Sequence, residues 1–341
     1  MTRGEVRTTA DSLKSGFKSI DVFNGDADGL LARHQFRLTN PVAPEQVTLV
    51  TGVKRDIALL DRLWRTQAVQ CDDEIQVFDI SYDRNATAVT SLLDTGARII
   101  YFDHHRASHL QAHPLLFAHI DESPDVCTSL LVDRHCQGAH RLWAIAGVFG
   151  DNLVAVGHQL SQDANLSPEQ VNQLKLLGEC LNYNAYGETV EDLHYHPVTL
   201  AARLQPYADP FDFIEHEDIP ARLKAGYEAD LVNALAIEAL QVSPVAAIYL
   251  LPDQPWARRV SGALANHLVH TYPKRSHAVL TTGTNGTATV SIRAPESIPR
   301  DADRVATRFA NGGGRAIAAG IESFPLDQLP RLIDLLEETY R

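Results

Sequence analysis

The chain has 341 residues, room for roughly two domains at about 150 residues each, with cores that need no disulfide or metal staple. With 45% hydrophobic and 21% charged residues it reads as globular rather than disordered. Lys plus Arg number 30 against 43 Asp plus Glu, a net charge of −13, which excludes a protein coating long duplex DNA through a basic face but leaves room for an enzyme with a local basic groove. No apolar run approaches the roughly 20 residues of a membrane span. The first 19 residues lack the apolar core of a secretion signal, so the expected compartment is the cytoplasm. Cys71, Cys127, Cys136 and Cys180 form no C-x-x-C pair and are expected to be buried small hydrophobes in a reducing compartment.

In chain order, the first half alternates strands and helices. Strands are expected over 19–23, 47–50, 75–80 and 98–102, with helices over 30–38, 56–69 and 86–93. This βαβα order predicts an α/β fold whose mostly parallel sheet is flanked by helices. Ligands of such sheets bind beyond the carboxyl ends of the strands. Residues 167–240 have helical period and carry Pro197, Pro206, Pro210 and Pro220, read as interruptions in a helical connector. Strand signals return over 245–250, 277–282 and 288–293. The last two are joined by a Gly-Thr-Asn-Gly turn at 283–286, which suggests a hairpin. A glycine cluster at Gly312, Gly313 and Gly314 and an amphipathic helix over 326–340 complete a smaller α/β module. The expected domains are 1–190, a connector 191–244, and 245–341.

Charge is uneven along the chain. Residues 245–315 hold nine Lys/Arg against four acids, a net of +5, leaving −18 for the rest. An acidic body and a basic module suggest metal held by one part and a polyanion by the other.

Carboxylates follow several apolar runs. Asp26 and Asp28 lie in Asn24-Gly25-Asp26-Ala27-Asp28-Gly29, after the first strand. In extended backbone, residues two apart point the same way, so these two carboxylates would repel unless a cation sat between them. A solvated turn is the alternative. Asp79 follows Gln76-Val77-Phe78, and Asp103-His104-His105 follows a further strand. Asp151 ends the apolar run Gly147-Val148-Phe149-Gly150 and is read the same way. A parallel sheet would gather these groups at one edge. Carboxylates with imidazole suit manganese, zinc or iron better than calcium.

These motifs resemble those of the DHH phosphoesterase superfamily: Asp26-Ala27-Asp28-Gly29, then Asp79, the Asp103-His104-His105 triplet, and Asp151. The stretch Asn311-Gly312-Gly313-Gly314-Arg315 with its following small residues, and the run Thr289-Val290-Ser291-Ile292-Arg293, resemble that family's DHHA1 domain. The resemblance implies two divalent cations, Mn2+ first, with Mg2+ or Co2+ as alternatives. Asp26 and Asp79 would hold one; Asp28, Asp79, His104 and Asp151 the other. Asp103 would orient the histidines and His105 would face the phosphate. Arg293, the amides of Gly312, Gly313 and Gly314, and Arg315 would hold the substrate. Two positions depart from the pattern. The family's first motif usually carries one more ligand, a His or Asp, but here the position two before Asp26 is Asn24, at most a neutral amide oxygen, and the position four before it is Val22. Arg315 replaces a histidine, keeping a phosphate contact but losing proton transfer near neutral pH.

The expected activity is metal-dependent hydrolysis of phosphodiester or phosphomonoester bonds by a two-metal mechanism. The modest basic excess, with Tyr249, Trp256, Tyr272 and Phe309 to stack one or two bases, suits a short oligonucleotide or nucleotide rather than long duplex DNA. An inorganic polyphosphate or pyrophosphate hydrolase and a non-catalytic nucleotide-binding sensor are the alternatives. No membrane partner is expected, and a homodimer is allowed. His194 and His196 have a metal-like H-x-H spacing without a partner cluster. The run 182–187 is a further polar-aromatic candidate, and Thr128 and Ser129 are read as helix caps.

Overall fold

The apolar runs of the first half pair into a five-stranded, wholly parallel sheet of order β2-β1-β3-β4-β5. The computed structural model describes residues 18–283 and 286–341. They fall into two compact units: residues through Ala185 with Thr189–Leu223, and Tyr186–Glu188 with Lys224–Arg341. The N-terminal stretch read for a secretion signal, apart from its last two residues, lies outside the described residues. So do Thr284 and Asn285 of the hairpin turn.

The first unit runs β1 (Ser19–Phe23), α1 (Ala27–Thr39), β2 (Val47–Thr51), α2 (Leu59–Thr66), β3 (Glu74–Phe78), α3 (Tyr82–Asp94), β4 (Arg98–Asp103) and β5 (Leu116–Ile120). Helices α4 (Thr128–His135), α5 (Arg141–Gly150), α6 (Val154–Asp163), α7 (Pro168–Asn184), α8 (Pro197–Leu204) and α9 (Pro210–His216) follow, and α10 (Ile219–Leu235) contains the division between units. Alternation of side chains along each strand builds two cores. Ile20, Val22, Ile75, Val77, Ile99 and Tyr101 pack with α2 and α3. On the other face Phe23, Phe78 and Phe102 pack with α1, α5 and α7. The Phe78 and Phe102 rings stack at 5.7 Å.

A charge is buried within the sheet at β1. Asp21 of β1 accepts from Arg33 Nε at 2.8 Å and Arg37 Nε at 2.9 Å, so the ion pairs bind α1 to its strand. Pro206 lies in the turn after α8 as an interruption, but other prolines read so begin helices. Pro197 and Pro210 open α8 and α9 behind the caps His196 and Asp209, where a missing N–H is harmless. Asp151 is likewise corrected: its apolar run is the last turn of α5, so it caps a helix C-terminus and ends no strand.

The second unit comprises β6 (Gln241–Val242), β7 (Ala246–Leu251), α11 (Pro255–Thr271), β8 (Ser276–Thr282), β9 (Thr287–Arg293), α12 (Ala302–Ala306), β10 (Gly312–Arg315), β11 (Ala318–Pro325) and α13 (Leu329–Tyr340). Its mixed sheet has the order β10-β11-β9-β8-β7-β6. The expected hairpin is present: β8 and β9 pair antiparallel, closed by Gly283 N donating to Thr287 O at 2.9 Å. Cys71 is exposed, unlike the three buried cysteines. Among the described residues no helix is long and apolar enough to cross a membrane.

Candidate metal centre

The strands of the first sheet end flush, with Thr51, Phe23, Phe78 and Phe102 side by side in register. The connection from the carboxyl end of β1 runs to β2 on one side, and that from the neighbouring β3 runs to β4 on the other. That switch point is where open α/β sheets form a crevice. Asp26 and Asp28 follow β1, Asp79 follows β3, and Asp103 ends β4.

The extended pairing expected for Asp26 and Asp28 is corrected, and Asp26 is in neither metal-ligating group among the described residues. The segment is the start of α1, not extended strand. Asp26 is the N-cap, its Oδ1 accepting from Gly29 N at 3.0 Å, and Asp28 lies in the first turn. The glycines have a steric role. A Cβ on Gly29 would stand 2.5 Å from Asn24 O, and one on Gly25 would stand 2.0 Å from Gly52 O. Only bare backbone lets the turn fold this tightly against α1 and the β2–α2 loop.

Asp28 is buried and held by the N-terminus of α4: its Oδ2 accepts from Thr128 N at 2.8 Å and its Oδ1 from Ser129 N at 2.7 Å. Asp79 adopts the left-handed region at φ 59°, a conformation Asp tolerates better than most residues, and its Oδ1 accepts from Thr128 Oγ1 at 3.2 Å. His104 Nε2 lies 3.4 Å from Asp79 Oδ1, and 3.9 Å from both Asp28 Oδ2 and Asp151 Oδ2. Its Nδ1 meets Val126 O at 3.0 Å; a proton there leaves the Nε2 lone pair facing the carboxylates. Asp103 is fully buried. Its Oδ1 takes His105 Nδ1 at 2.7 Å and His104 N at 2.9 Å. Lys54, from the β2–α2 loop, donates from Nζ to Asp26 Oδ2 at 2.6 Å and Asn182 Oδ1 at 3.0 Å.

The electrostatics are those of a pocket short of positive charge. Burial, with the Asp79 charge added, pushes the Asp28 carboxyl up to about 6. Burial and the Asp26 charge do the same to Asp79, also about 6. Asp151 reaches about 6 through burial and Asp28. Burial would raise Asp26 as well, but the Lys54 ammonium holds it below its ordinary value. For His104, burial alone would lower the pKa; the Asp79 hydrogen bond and the charges of Asp28, Asp79 and Asp151 outweigh it and lift it to about 10. His105 follows the same balance, with the Asp103 hydrogen bond raising it to about 9. Carboxylates that retain protons beside imidazoles that gain them are a donor set awaiting a cation.

The residues fit a divalent ion. Ligand atoms of Asp28, His104 and Asp151 lie within 4.8 Å of one another, as do those of Asp79, His104 and His105. Oxygen donors with imidazole suit manganese-like cations. Asn24 Oδ1 is buried without a hydrogen-bond partner.

Sequence reasoning missed Lys54, whose place just beyond a strand's carboxyl end was the available signal. It also misread Thr128 and Ser129. Cys127 caps α4 without a side-chain bond, while the Ser129 hydroxyl donates to Asp28 O at 2.9 Å and that of Thr128 to Asp79. His194 pairs with the Tyr183 hydroxyl at 2.7 Å and His196 caps α8; neither is in a metal-ligating group among the described residues.

Residues 242–341 match the family model of the DHHA1 domain. An exonuclease RecJ bound to manganese shares the fold, with TM-score 0.59 and 17% identity over 97% of this chain and 93% of that one. The C-terminal part of the chain is thus similar to a DHHA1 domain, and the chain as a whole shares the fold of that exonuclease. RecJ of Thermus thermophilus in complex with Mn2+ is also similar, with TM-score 0.56 and 16% identity over 97% of this chain and 53% of the other. A DHH-domain protein described as a member of a family of ribosomal proteins superposes with TM-score 0.60 at 14% identity, covering 95% of this chain and 86% of that one. No curated protein matches in sequence.

The DHHA1 unit places its candidates in one sheet. Arg293 of β9 and Arg315 of β10 both pair with Ala318 of the intervening β11, so they occupy one row. Arg293 Nε donates to Asn266 Oδ1 at 2.6 Å. Gly312, Gly313 and Gly314 form an edge strand paired with β11, so some of the expected cradle amides serve a ladder. A Cβ on Gly312 would stand 1.8 Å from Ala306 O, and Gly314, at φ 143°, would meet Ala319. Phe309, expected to stack on a base, is buried against Phe324.

Proposed function

We propose that this protein belongs to the DHH/DHHA1 superfamily and is a metal-dependent phosphoesterase acting on phosphodiester or phosphomonoester bonds of short oligonucleotides or nucleotides. The observation that carries the reading is the meeting of Asp28, Asp79, His104 and Asp151 at the β1/β3 switch point, with the Asp103–His105 pair beside them. Mn2+, with Mg2+ or Co2+ as substitutes, would be held by these side chains. Such an ion supplies positive charge at phosphoryl oxygens and lowers the pKa of water. The two ligand groups overlap at His104.

The chain's own residues do the rest. Asp103 fixes the His105 ring through Nδ1, leaving Nε2 to donate to a phosphate oxygen. In the metal-free protein the Asp103 hydrogen bond outweighs burial and lifts His105 to about 9, so the ring is charged at neutral pH before an ion binds. In the DHHA1 unit the row formed by Arg293 and Arg315 would bind a second phosphate of the substrate. With Phe309 buried, fewer rings remain for bases, which favours a substrate of one to a few nucleotides. The RecJ neighbours, one named an exonuclease, support a nucleic-acid substrate class.

The test is a hydrolysis panel of Mn2+, Mg2+ and Co2+ against short labelled oligonucleotides, cyclic dinucleotides, 3′-phosphoadenosine phosphate and polyphosphate. Release of mononucleotide or phosphate from a nucleotide substrate is expected, with loss on chelation. Turnover of polyphosphate alone would reassign the substrate. Tight nucleotide binding without turnover would make the protein a sensor.

A further inference from the structure

Among the carboxylates around the centre, Asp26 is already matched by a lysine of the chain. We propose that the centre takes a single divalent ion, seated by Asp28, Asp79, His104 and Asp151, and that the Lys54 ammonium occupies the place beside Asp26 that a second ion would need. The inference rests on the metal-centre reading above.

Both oxygens of Asp26 are committed: Oδ1 caps α1 through Gly29 N at 3.0 Å, and Oδ2 takes Lys54 Nζ at 2.6 Å. Lys54 is fixed rather than a swinging surface lysine. Its Nζ also reaches Asn182 Oδ1 at 3.0 Å, its backbone N–H donates to Ala185 O at 2.9 Å, and its carbonyl accepts from Asn24 Nδ2 at 3.3 Å. The end of α7 and the β1–α1 turn therefore clamp the loop that carries it. A divalent ion on Asp26 Oδ2 would stand against this ammonium in a buried setting, where like charges repel strongly.

The imidazole points the same way. The two ligand groups share His104, whose Nδ1 is engaged by Val126 O. One remaining lone pair serves one ion. Asn24 completes the pattern. As a neutral amide it donates to the Lys54 carbonyl, which an Asp at that position could not do, and it adds no charge to draw a second cation. Part of the positive charge that faces the phosphate would thus be covalently attached to the chain, so activation would follow a single metal-binding step.

The test counts manganese on the purified full chain. Equilibrium dialysis with elemental analysis, and electron paramagnetic resonance of the bound Mn2+, would be run on the parent, Lys54→Arg, Lys54→Met and the double variant Asn24→Asp/Lys54→Met. The parent and Lys54→Arg are expected to hold one Mn2+ per chain with an uncoupled signal. The double variant is expected to hold two, with exchange coupling between them. Circular dichroism and an unchanged first binding step serve as fold controls, and Lys54→Met alone stands in if the double variant does not fold. Two Mn2+ per chain in the parent would overturn the inference and leave the metal centre standing. A folded double variant and a folded Lys54→Met that each bind only one would also overturn it. No Mn2+ on the parent would remove the metal centre itself, and this inference with it.

Discussion

Asp151→Asn separates what this side chain does for the fold from what it does for metal. Asp151 stands at the C-terminus of α5, where the helix dipole already disfavours an anion, and burial with Asp28 lifts its pKa from 3.8 to about 6. A raised carboxyl pKa destabilises the fold in the ionised form; the penalty is absent below 3.8 and complete above about 6. At pH 8 it amounts to at most about 3 kcal/mol in the metal-free protein. The side chain is only 20% exposed, so solvent screening is limited. An amide of the same shape avoids the penalty. Metal-free Asp151→Asn should therefore be more stable than the parent at pH 8, by up to about 3 kcal/mol, or a rise in Tm of up to about 10 °C. The metal response should move oppositely. At a Mn2+ concentration about 100 times its Kd the parent gains about 2.7 kcal/mol. A loss of roughly 10–100-fold in affinity, the usual effect of removing even a supporting partner, would cut that gain to between about 0.4 and 1.4 kcal/mol. Thermal unfolding in EDTA and in Mn2+, with Mn2+ calorimetry, reads both. A metal-free variant less stable than the parent, or an unchanged Mn2+ response, would refute the reasoning.

Mn2+ binding should release protons: His104, raised to about 10, is charged at pH 7 without metal and must become neutral to ligate, so affinity should climb with pH and fall steeply below about 6, where Asp28, Asp79 and Asp151 protonate. Calorimetry in buffers of different ionisation enthalpy measures this; no net proton release at pH 7 would contradict the placement of His104. The same raised values for His104 and His105 stabilise the metal-free fold below about 6.5 and lose effect toward pH 9–10, so its Tm should decline across that range. Thr128→Val removes a hydroxyl hydrogen bond to Asp79 and should cost about 1 kcal/mol of stability while weakening Mn2+ binding; equal Mn2+ affinity would show that Thr128 does not position Asp79. Arg293→Ala should raise KM for a nucleotide substrate with little change in kcat, and steady-state kinetics showing a kcat defect alone would place Arg293 outside substrate binding.

Much of this was legible in the sequence because a parallel sheet buried on both faces leaves continuous apolar runs, and β1, β3 and β4 are such runs. The acids after them were visible for the same reason. Local geometry was less so. Asp26 and Asp28 were paired through an extended segment, whereas they are the N-cap and first turn of α1. Asp151 was found as a residue but on the wrong kind of element. β5 escaped notice because Leu116–Ile120 is a half-exposed edge strand without a clear apolar period. Three glycines in a row carry little strand preference, and pairing with β11 imposes the strand. Lys54, Thr128 and Ser129 owe their places to tertiary convergence, of β2 beside β1 and of the α4 N-terminus on Asp28, which no local pattern encodes.

The most direct measurement is anomalous diffraction at the manganese absorption edge from crystals soaked in Mn2+. A strong peak within about 2.3 Å of Asp28, Asp79, His104 Nε2 and Asp151 is expected, and it should vanish in His104→Ala. Density at some other surface, or none at saturating Mn2+, would contradict the metal centre and the phosphoesterase reading built on it.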